Sequence, residues 1–154
     1  YRKGHFEGVL AVIKRFLQKI HAKYLFLGEK DFQQIFLIKK YLQKEFDTKI
    51  ISCKTVRNNN YFPLSSRNKL LTYQSIKNSE KISKLLFNLR LRIKKNPNSI
   101  KLIKIYFEKI NLLCNKIEYL EIRNINNLSK NISKDNFKIF IAYKQKNVRI
   151  IDNV

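Results

Sequence analysis

Methionine and tryptophan are absent from this chain, and cysteine, proline and glycine are rare, at two, two and three in 154 residues. A complete translated chain normally opens on methionine. Tyr1 is therefore expected to be an internal residue of a longer protein, though trimming of a mature chain would look the same. The two cysteines, Cys53 and Cys114, sit in apolar runs with no motif spacing. They are predicted to be small buried apolar side chains in a reducing compartment. Only two histidines occur, neither at ligand spacing from a cysteine, which argues against a metal centre. No run approaches the ~18 apolar residues of a membrane span, and no signal peptide is visible. A cytoplasmic protein is expected.

Acidic residues are scarce as well, 11 against 33 Lys and Arg, for a formal net charge of +22. Such an excess suits nucleic acid or a membrane surface. It is carried mainly by Lys, alongside abundant Ile and Asn, the residues of A/T-rich codons. Genome-wide drift towards A/T accounts for that without a binding role. A dedicated polyanion surface is the alternative.

Residues 5–20, "HFEGVLAVIKRFLQKI", set Phe6, Val9, Leu10, Ile13, Leu17 and Ile20 on one helical stripe. "KYLFLG" reads as a short buried strand. "DFQQIFLIKKYLQKEF" is helical, with Phe32, Ile35, Phe36, Ile38 and Leu42 inward and Asp31 able to cap its first turn. "TKIISCKTV" is a second strand. A buried strand, an amphipathic helix and another strand predict a βαβ unit with a parallel sheet. Ligands of such sheets bind at the carboxyl ends of the strands. After Val56 a polar loop, "RNNNYFPLSSRN", leads to a helix capped by Thr72 and carrying Ile76, Ile82, Leu85, Leu86, Leu89 and Ile93 on its apolar face. "NPNS" breaks it, and Ser99 caps a third helix to about Cys114. "KIEYLEIRN" and "FKIFIAYKQKNVRIIDNV" predict three strands, the last two joined as a hairpin near residues 145–147. The chain thus divides into an α/β part, 1–56, and a small α+β part, 57–154, with a short antiparallel sheet. No internal repeat or low-complexity domain interrupts it.

Two stretches carry chemistry. In "GEKDFQQ", Gly28 ends a strand and lets backbone approach a ligand. The helix that follows offers N–H groups to anions. Lys30 is a point charge suited to phosphate and Asp31 an acceptor suited to ribose hydroxyls. Gln34, one turn on, can donate and accept at a polar small molecule. In "LSSRN", residues 64–68, Arg67 is a charge-assisted fork and Ser65 and Ser66 are donors, a set suited to a phosphate chain. Taken alone, each stretch is better read as a solvated turn leading into a helix.

Taken together, "R-x-x-HFEGV", "GEKDFQQ", "TVR" followed by "LSSRN", and the tail "EYLEIR … DN" resemble the pantothenate synthetase (pantoate–β-alanine ligase) family, from Arg2 to Asn153. The matching segments correspond to that family's second half. Its phosphate-binding His-x-Gly-His segment and a preceding pantoate-binding Gln are absent, so the chain alone is expected to be inactive. The resemblance implies a Rossmann-like nucleotidyltransferase domain followed by the small α+β domain. It also implies an adenylate-forming mechanism: ATP and pantoate give pantoyl adenylate and pyrophosphate, and β-alanine displaces AMP. Gly28, Glu29, Lys30 and Asp31 would hold ATP, and Gln34 pantoate. Val56 would line the adenine pocket. Leu64, Ser65, Ser66 and Arg67 would form a second ATP segment within a 57–68 loop, a counterpart of the mobile phosphate-stabilising loop of class I aminoacyl-tRNA synthetases. Lys30, Ser65 and Arg67 would act electrostatically on phosphate, with Mg²⁺ carried on ATP and no resident metal. A homodimer of the full-length enzyme is implied.

Arg2 and His5 match the opening of the family's "HF-x-G-V" segment, where His5 is expected to be buried or capping. His21 is expected at the surface, near a helix end. The chain departs from the family at Asn60–Tyr61, where an Asp-Gly pair is usual, and Pro63 adds rigidity. That departure bears on loop closure more than on ATP contacts, and is the sole support for a degenerate remnant of the ligase. A basic nucleic-acid-binding module remains the reading from a different class; it predicts cations on one face with interleaved aromatics.

Overall fold

The computed structural model describes residues 4–97 and 100–154, and divides into two compact units, Tyr1–Thr55 and Val56–Val154. Arg2 and the expected cap Ser99 lie outside the described residues.

The first unit contains α1 (His5–Ile20), β1 (Tyr24–Gly28), α2 (Phe32–Leu42) and β2 (Lys49–Cys53). The strands pair in parallel, from Tyr24 opposite Lys49 to Gly28 opposite Cys53, so their carboxyl ends lie level. Joining two parallel strands requires a crossover, and α2 supplies it. Ile38, Leu42 and Ile50 form the buried centre, with Val9, Leu10, Ile13, Leu25, Leu27 and Phe46 packed around them. Leu25 and Leu27 alternate with exposed Tyr24 and Phe26, so one face of the strand is turned to the helices. The Thr48 hydroxyl donates to the Ala22 carbonyl at 2.7 Å, tying the entry of β2 to that of β1.

Three expectations fail here. β1, expected as a buried strand, exposes Tyr24 and Phe26, because only its Leu25 and Leu27 face meets the helices. Ile20 is exposed, because α1 ends beside it at His21, which takes a left-handed φ of 46° and sends its N–H back to the Leu17 carbonyl. Cys53 is exposed rather than buried, because it is the last residue of a strand that ends three residues short of Val56. Cys114 fits its expectation better. It is half-buried, its thiol lies 3.4 Å from the Ile110 carbonyl, and burial pushes its pKa up.

The second unit contains α3 (Tyr73–Lys95), α4 (Ile100–Asn111), β3 (Lys116–Asn124), β4 (Phe137–Gln145) and β5 (Val148–Asn153). The three strands form an antiparallel sheet in the order β3-β4-β5. Gln145 pairs with Val148 across a two-residue turn in which Lys146 takes φ 52°. Thr72 caps α3 as expected, accepting from the Ser75 N–H at 3.3 Å. Ile82, Leu86, Leu89 and Ile93 bury one face of α3 against Tyr106 and Ile110 of α4 and Ile139, Ile141 and Tyr143 of β4. The expected class, a parallel α/β part followed by a part with an antiparallel sheet, is the one observed.

This packing makes a contrast measurable. Leu86 is fully buried and Leu112 is 87% exposed. Leu86→Ala should lower the unfolding free energy of the chain by about 2–5 kcal/mol in urea titration, whereas Leu112→Ala should change it by no more than about 0.5 kcal/mol.

Candidate functional site

In the first unit, β1 runs out at Gly28 and a single 3₁₀ turn, Glu29–Asp31, hands the chain to α2. Gly28 has ordinary extended backbone, φ −72° and ψ 128°, and a Cβ built there would meet nothing within 4 Å. The fold therefore does not require glycine at this position; glycine leaves an open approach to the backbone at the end of the strand. Glu29, Lys30, Asp31 and Gln34 are all half-buried. Asp31 precedes α2 but makes no side-chain cap, because the intervening 3₁₀ turn sets its backbone at φ −100° and ψ 44°. That corrects the expected capping role. His5 likewise is neither buried nor a cap. It is the half-buried first residue of α1, with its ring 5.5 Å from that of Phe6, and Gly4 holds the N-cap position at φ 74°. His21 is exposed at the end of the same helix.

In the second unit the stretch from Arg57 to Pro63, expected as a polar loop, is a tight, heavily bonded hairpin. Arg57 and Pro63 form an antiparallel bridge, and the Leu64 N–H donates to the Val56 carbonyl at 2.9 Å. Asn58 organises the turn: its side-chain Oδ1 accepts from the N–H groups of Asn60 and Phe62, both at 3.0 Å. Phe62 is driven into the core at 1% exposure. Tyr61, at a position where the resemblance leads one to expect glycine, takes the left-handed conformation at φ 67°. Its ring packs on Phe87 at a centroid distance of 4.8 Å, and its carbonyl accepts from Arg57 Nη1 at 2.8 Å.

The chemistry-bearing residues follow directly. Val56 and Leu64, with paired backbones, are 68% and 55% exposed. The Ser65 hydroxyl accepts from the Arg67 N–H at 3.3 Å and so caps the 3₁₀ turn Ser66–Leu70, while Asn68 Nδ2 donates to the Pro63 carbonyl at 3.0 Å. Ser66 and Arg67 are exposed. The fold thus gathers Gly28–Asp31 with Gln34 in one unit, and Val56 with Leu64–Arg67 in the other.

Sequence reasoning missed Arg57, Asn58, Glu80 and Asp152. Glu80, buried on α3, accepts from Asn58 Nδ2 at 2.9 Å and pairs with Lys77 Nζ at 3.2 Å. Burial pushes its carboxyl up, but hydrogen bonds from Asn60, Lys77 and Asn58 outweigh that and hold it below its ordinary value. The available signal was position: Glu80 lies four residues after Ile76 and three before Ser83, on the buried face of α3. Among the described residues, no group of three or more His, Cys, Asp or Glu is placed to hold a metal ion, and no helix is long and apolar enough to cross a membrane.

A parallel strand–helix–strand unit with an open glycine turn and polar residues at its carboxyl end defines an α/β protein, and that end of the sheet is where ligands of such folds bind. The family model described as pantoate-beta-alanine ligase matches residues 1–154, and the chain belongs to that family. It is 39% identical over 155 residues to the bifunctional pantoate ligase/cytidylate kinase of Prochlorococcus marinus, covering 99% of this chain and 30% of that protein. It is 38% identical over 153 residues to the pantothenate synthetase of Francisella tularensis subsp. mediasiatica, covering 99% of this chain and 51% of the relative. Among solved structures, a pantoate-beta-alanine ligase from Francisella tularensis, complexed with beta-gamma ATP and beta-alanine, matches with a TM-score of 0.74 and 36% identity over 99% of this chain and 51% of its own. The chain therefore spans about half the length of that synthetase. The alternative of a basic nucleic-acid-binding module gains no support from these matches.

The lowered pKa of Glu80 has a definite sign. A carboxyl held below its unfolded value, near 4.5, adds stability that is fully present above that value and is lost as pH falls through the folded pKa. Glu80→Gln should therefore lower stability at pH 7 and flatten its decline below pH 4.5, as read from urea midpoints across a pH series.

Proposed function

We propose that this chain contributes to an ATP-dependent ligase that condenses (R)-pantoate with β-alanine through a pantoyl adenylate. The observation that carries the reading is family membership along all 154 residues. The relative complexed with beta-gamma ATP and beta-alanine supports the substrate chemistry. In the first step a pantoate carboxylate oxygen attacks the α-phosphorus, and the bond to the β-phosphate oxygen breaks. In the second, the β-alanine amine attacks the acyl carbon, the bond from that carbon to the bridging oxygen breaks, AMP leaves with that oxygen, and the nitrogen gives up a proton to solvent. Neither step needs a covalent nucleophile or a general base from this segment. What the first step needs is cations and donors where charge moves onto pyrophosphate.

The roles follow from residue chemistry. Gly28 and Glu29 admit ATP to the backbone at the end of β1, through the opening that the missing side chain leaves. Lys30 lies on phosphate and Asp31 towards ribose, its carboxylate not used as a helix cap. Gln34 takes pantoate. Val56 faces adenine with an exposed apolar side chain, and Leu64 opens the second ATP segment. Ser65, Ser66 and Arg67 take the phosphate chain: a serine hydroxyl that accepts from backbone still has its proton to give, and Arg67 offers a fork. Mg²⁺ enters as part of the ATP substrate. In this reading 1–56 and 57–154 are the functional domains, and the full-length enzyme is a cytoplasmic homodimer.

The test uses an enzyme of full family length carrying this sequence. It should catalyse pantoate-dependent exchange of pyrophosphate into ATP. Lys30→Ala should reduce that exchange by about 10²-fold or more with the thermal midpoint kept. Gly28→Ala should also keep the fold, since its Cβ meets nothing, yet raise the KM for ATP. Full exchange in Lys30→Ala would refute the assignment.

A further inference from the structure

Arg57 is held by four hydrogen bonds. Nη1 donates to Asp152 Oδ2 and to the Tyr61 carbonyl, and Nη2 donates to Asp152 Oδ1, all at 2.8 Å; Nη2 also reaches the Asn153 carbonyl at 2.9 Å. The flat face of the guanidinium lies 5.1 Å from the centre of the Phe87 ring. Asp152 Oδ1 accepts in addition from the Asn153 N–H at 2.7 Å. The two side chains are only 16% and 2% exposed. This clamp closes the base of the 57–63 hairpin onto β5, and β5 also packs against the 3₁₀ turn Ser66–Leu70. The C-terminal strand therefore backs both ends of the segment between them.

We infer that Arg57 and Asp152 are positioning residues that set Leu64–Arg67 in place for the nucleotide phosphates, through the last strand of the chain. The inference rests on the reading that Leu64–Arg67 bind ATP. Neither residue is assigned a contact with substrate. A bidentate fork fixes direction as well as distance, so the carboxylate of Asp152 dictates where the hairpin stands. The Leu64 N–H to Val56 carbonyl bond lies one residue beyond the clamp on each strand of the hairpin, and the Ser65 cap comes next. Release of the clamp should loosen this run first, while α3 stays anchored by Leu86, Leu89 and Ile93.

Asp152→Asn keeps the shape and removes the charge, turning one acceptor into an N–H₂ that opposes the guanidinium. In hydrogen exchange on the 154-residue chain, amides of residues 58–68 should exchange at least about tenfold faster, and those of α3 less than about twofold faster. In the enzyme of full family length, the KM for ATP should rise about tenfold and kcat for pantoate-dependent exchange should fall, with the KM for pantoate within about twofold of wild type. If Asp152→Asn does not fold, Arg57→Lys carries the same readouts, because it keeps the charge and loses the fork. Unchanged exchange at 58–68, or a loosened hairpin with ATP kinetics unmoved, would overturn the inference while leaving the functional reading intact. A wild-type enzyme with no ATP–pyrophosphate exchange would overturn the functional reading, and this inference with it.

Discussion

The hairpin that opens the second unit hangs on one desolvated contact, the guanidinium of Arg57 against the carboxylate of Asp152, 95 residues further along the chain. Burying two charges is costly, and their attraction offsets that only when the remaining donors and acceptors are also used. Here they are. Two backbone carbonyls take the other Arg57 bonds, and the Asn153 N–H adds to Asp152. Breaking such a pair by removing one partner typically costs about 3–5 kcal/mol, because the other charge is stranded. The contact also joins the unit's second residue to its last strand. The 3₁₀ turn that follows the hairpin therefore inherits its position from the C-terminus.

A second polar layer sits directly above the first. Asn58 closes the turn through its side chain and is itself held by Glu80. Tyr61 pays the conformational cost of its left-handed backbone, about 1–2 kcal/mol, within a turn that over-determines it. The Asn58 carbonyl accepts its N–H, Arg57 takes its carbonyl, and Phe87 packs its ring. A glycine there would relieve the backbone but leave Phe87 with one ring face fewer to pack. The hairpin is thus rigid for reasons other than the usual small residue, and the buried Phe62 and Pro63 fix it to the core.

These contacts also explain what was legible in the sequence. The helices were readable because each carries a 3.6-residue apolar stripe: α1 and α3 start at the residues their patterns indicate, and Thr72 caps as its type predicts. The β3, β4 and β5 strands were readable from alternation and a polar break. The exposed Cys53 and Ile20 and the uncapped Asp31 were misread, since each depends on where an element stops, which local pattern fixes poorly. The hairpin was read as a loop because its order comes from an Asn side chain and from a carboxylate 95 residues away. Neither leaves a periodic trace. The candidate site was legible as residue types, and the scaffold that holds half of it was not.

Charge usage follows the same division. The chain has eight arginines against 25 lysines. In the described ion pairs the lysines Lys14, Lys77 and Lys94 are 42–52% exposed, while Arg57, Arg123 and Arg149 are 16–27% exposed. Exposed pairs contribute little, about 0–1 kcal/mol, so lysine can accumulate on outer faces with small effect on the fold. A cation that must be stripped of water is another matter. Guanidinium is more weakly hydrated and presents a fixed fork, so a lysine at position 57 would reach one oxygen and strand the rest. Lysine therefore stands where water screens it, and arginine where direction matters. On that argument Arg57 is a cation whose kind, and not only whose sign, the fold needs.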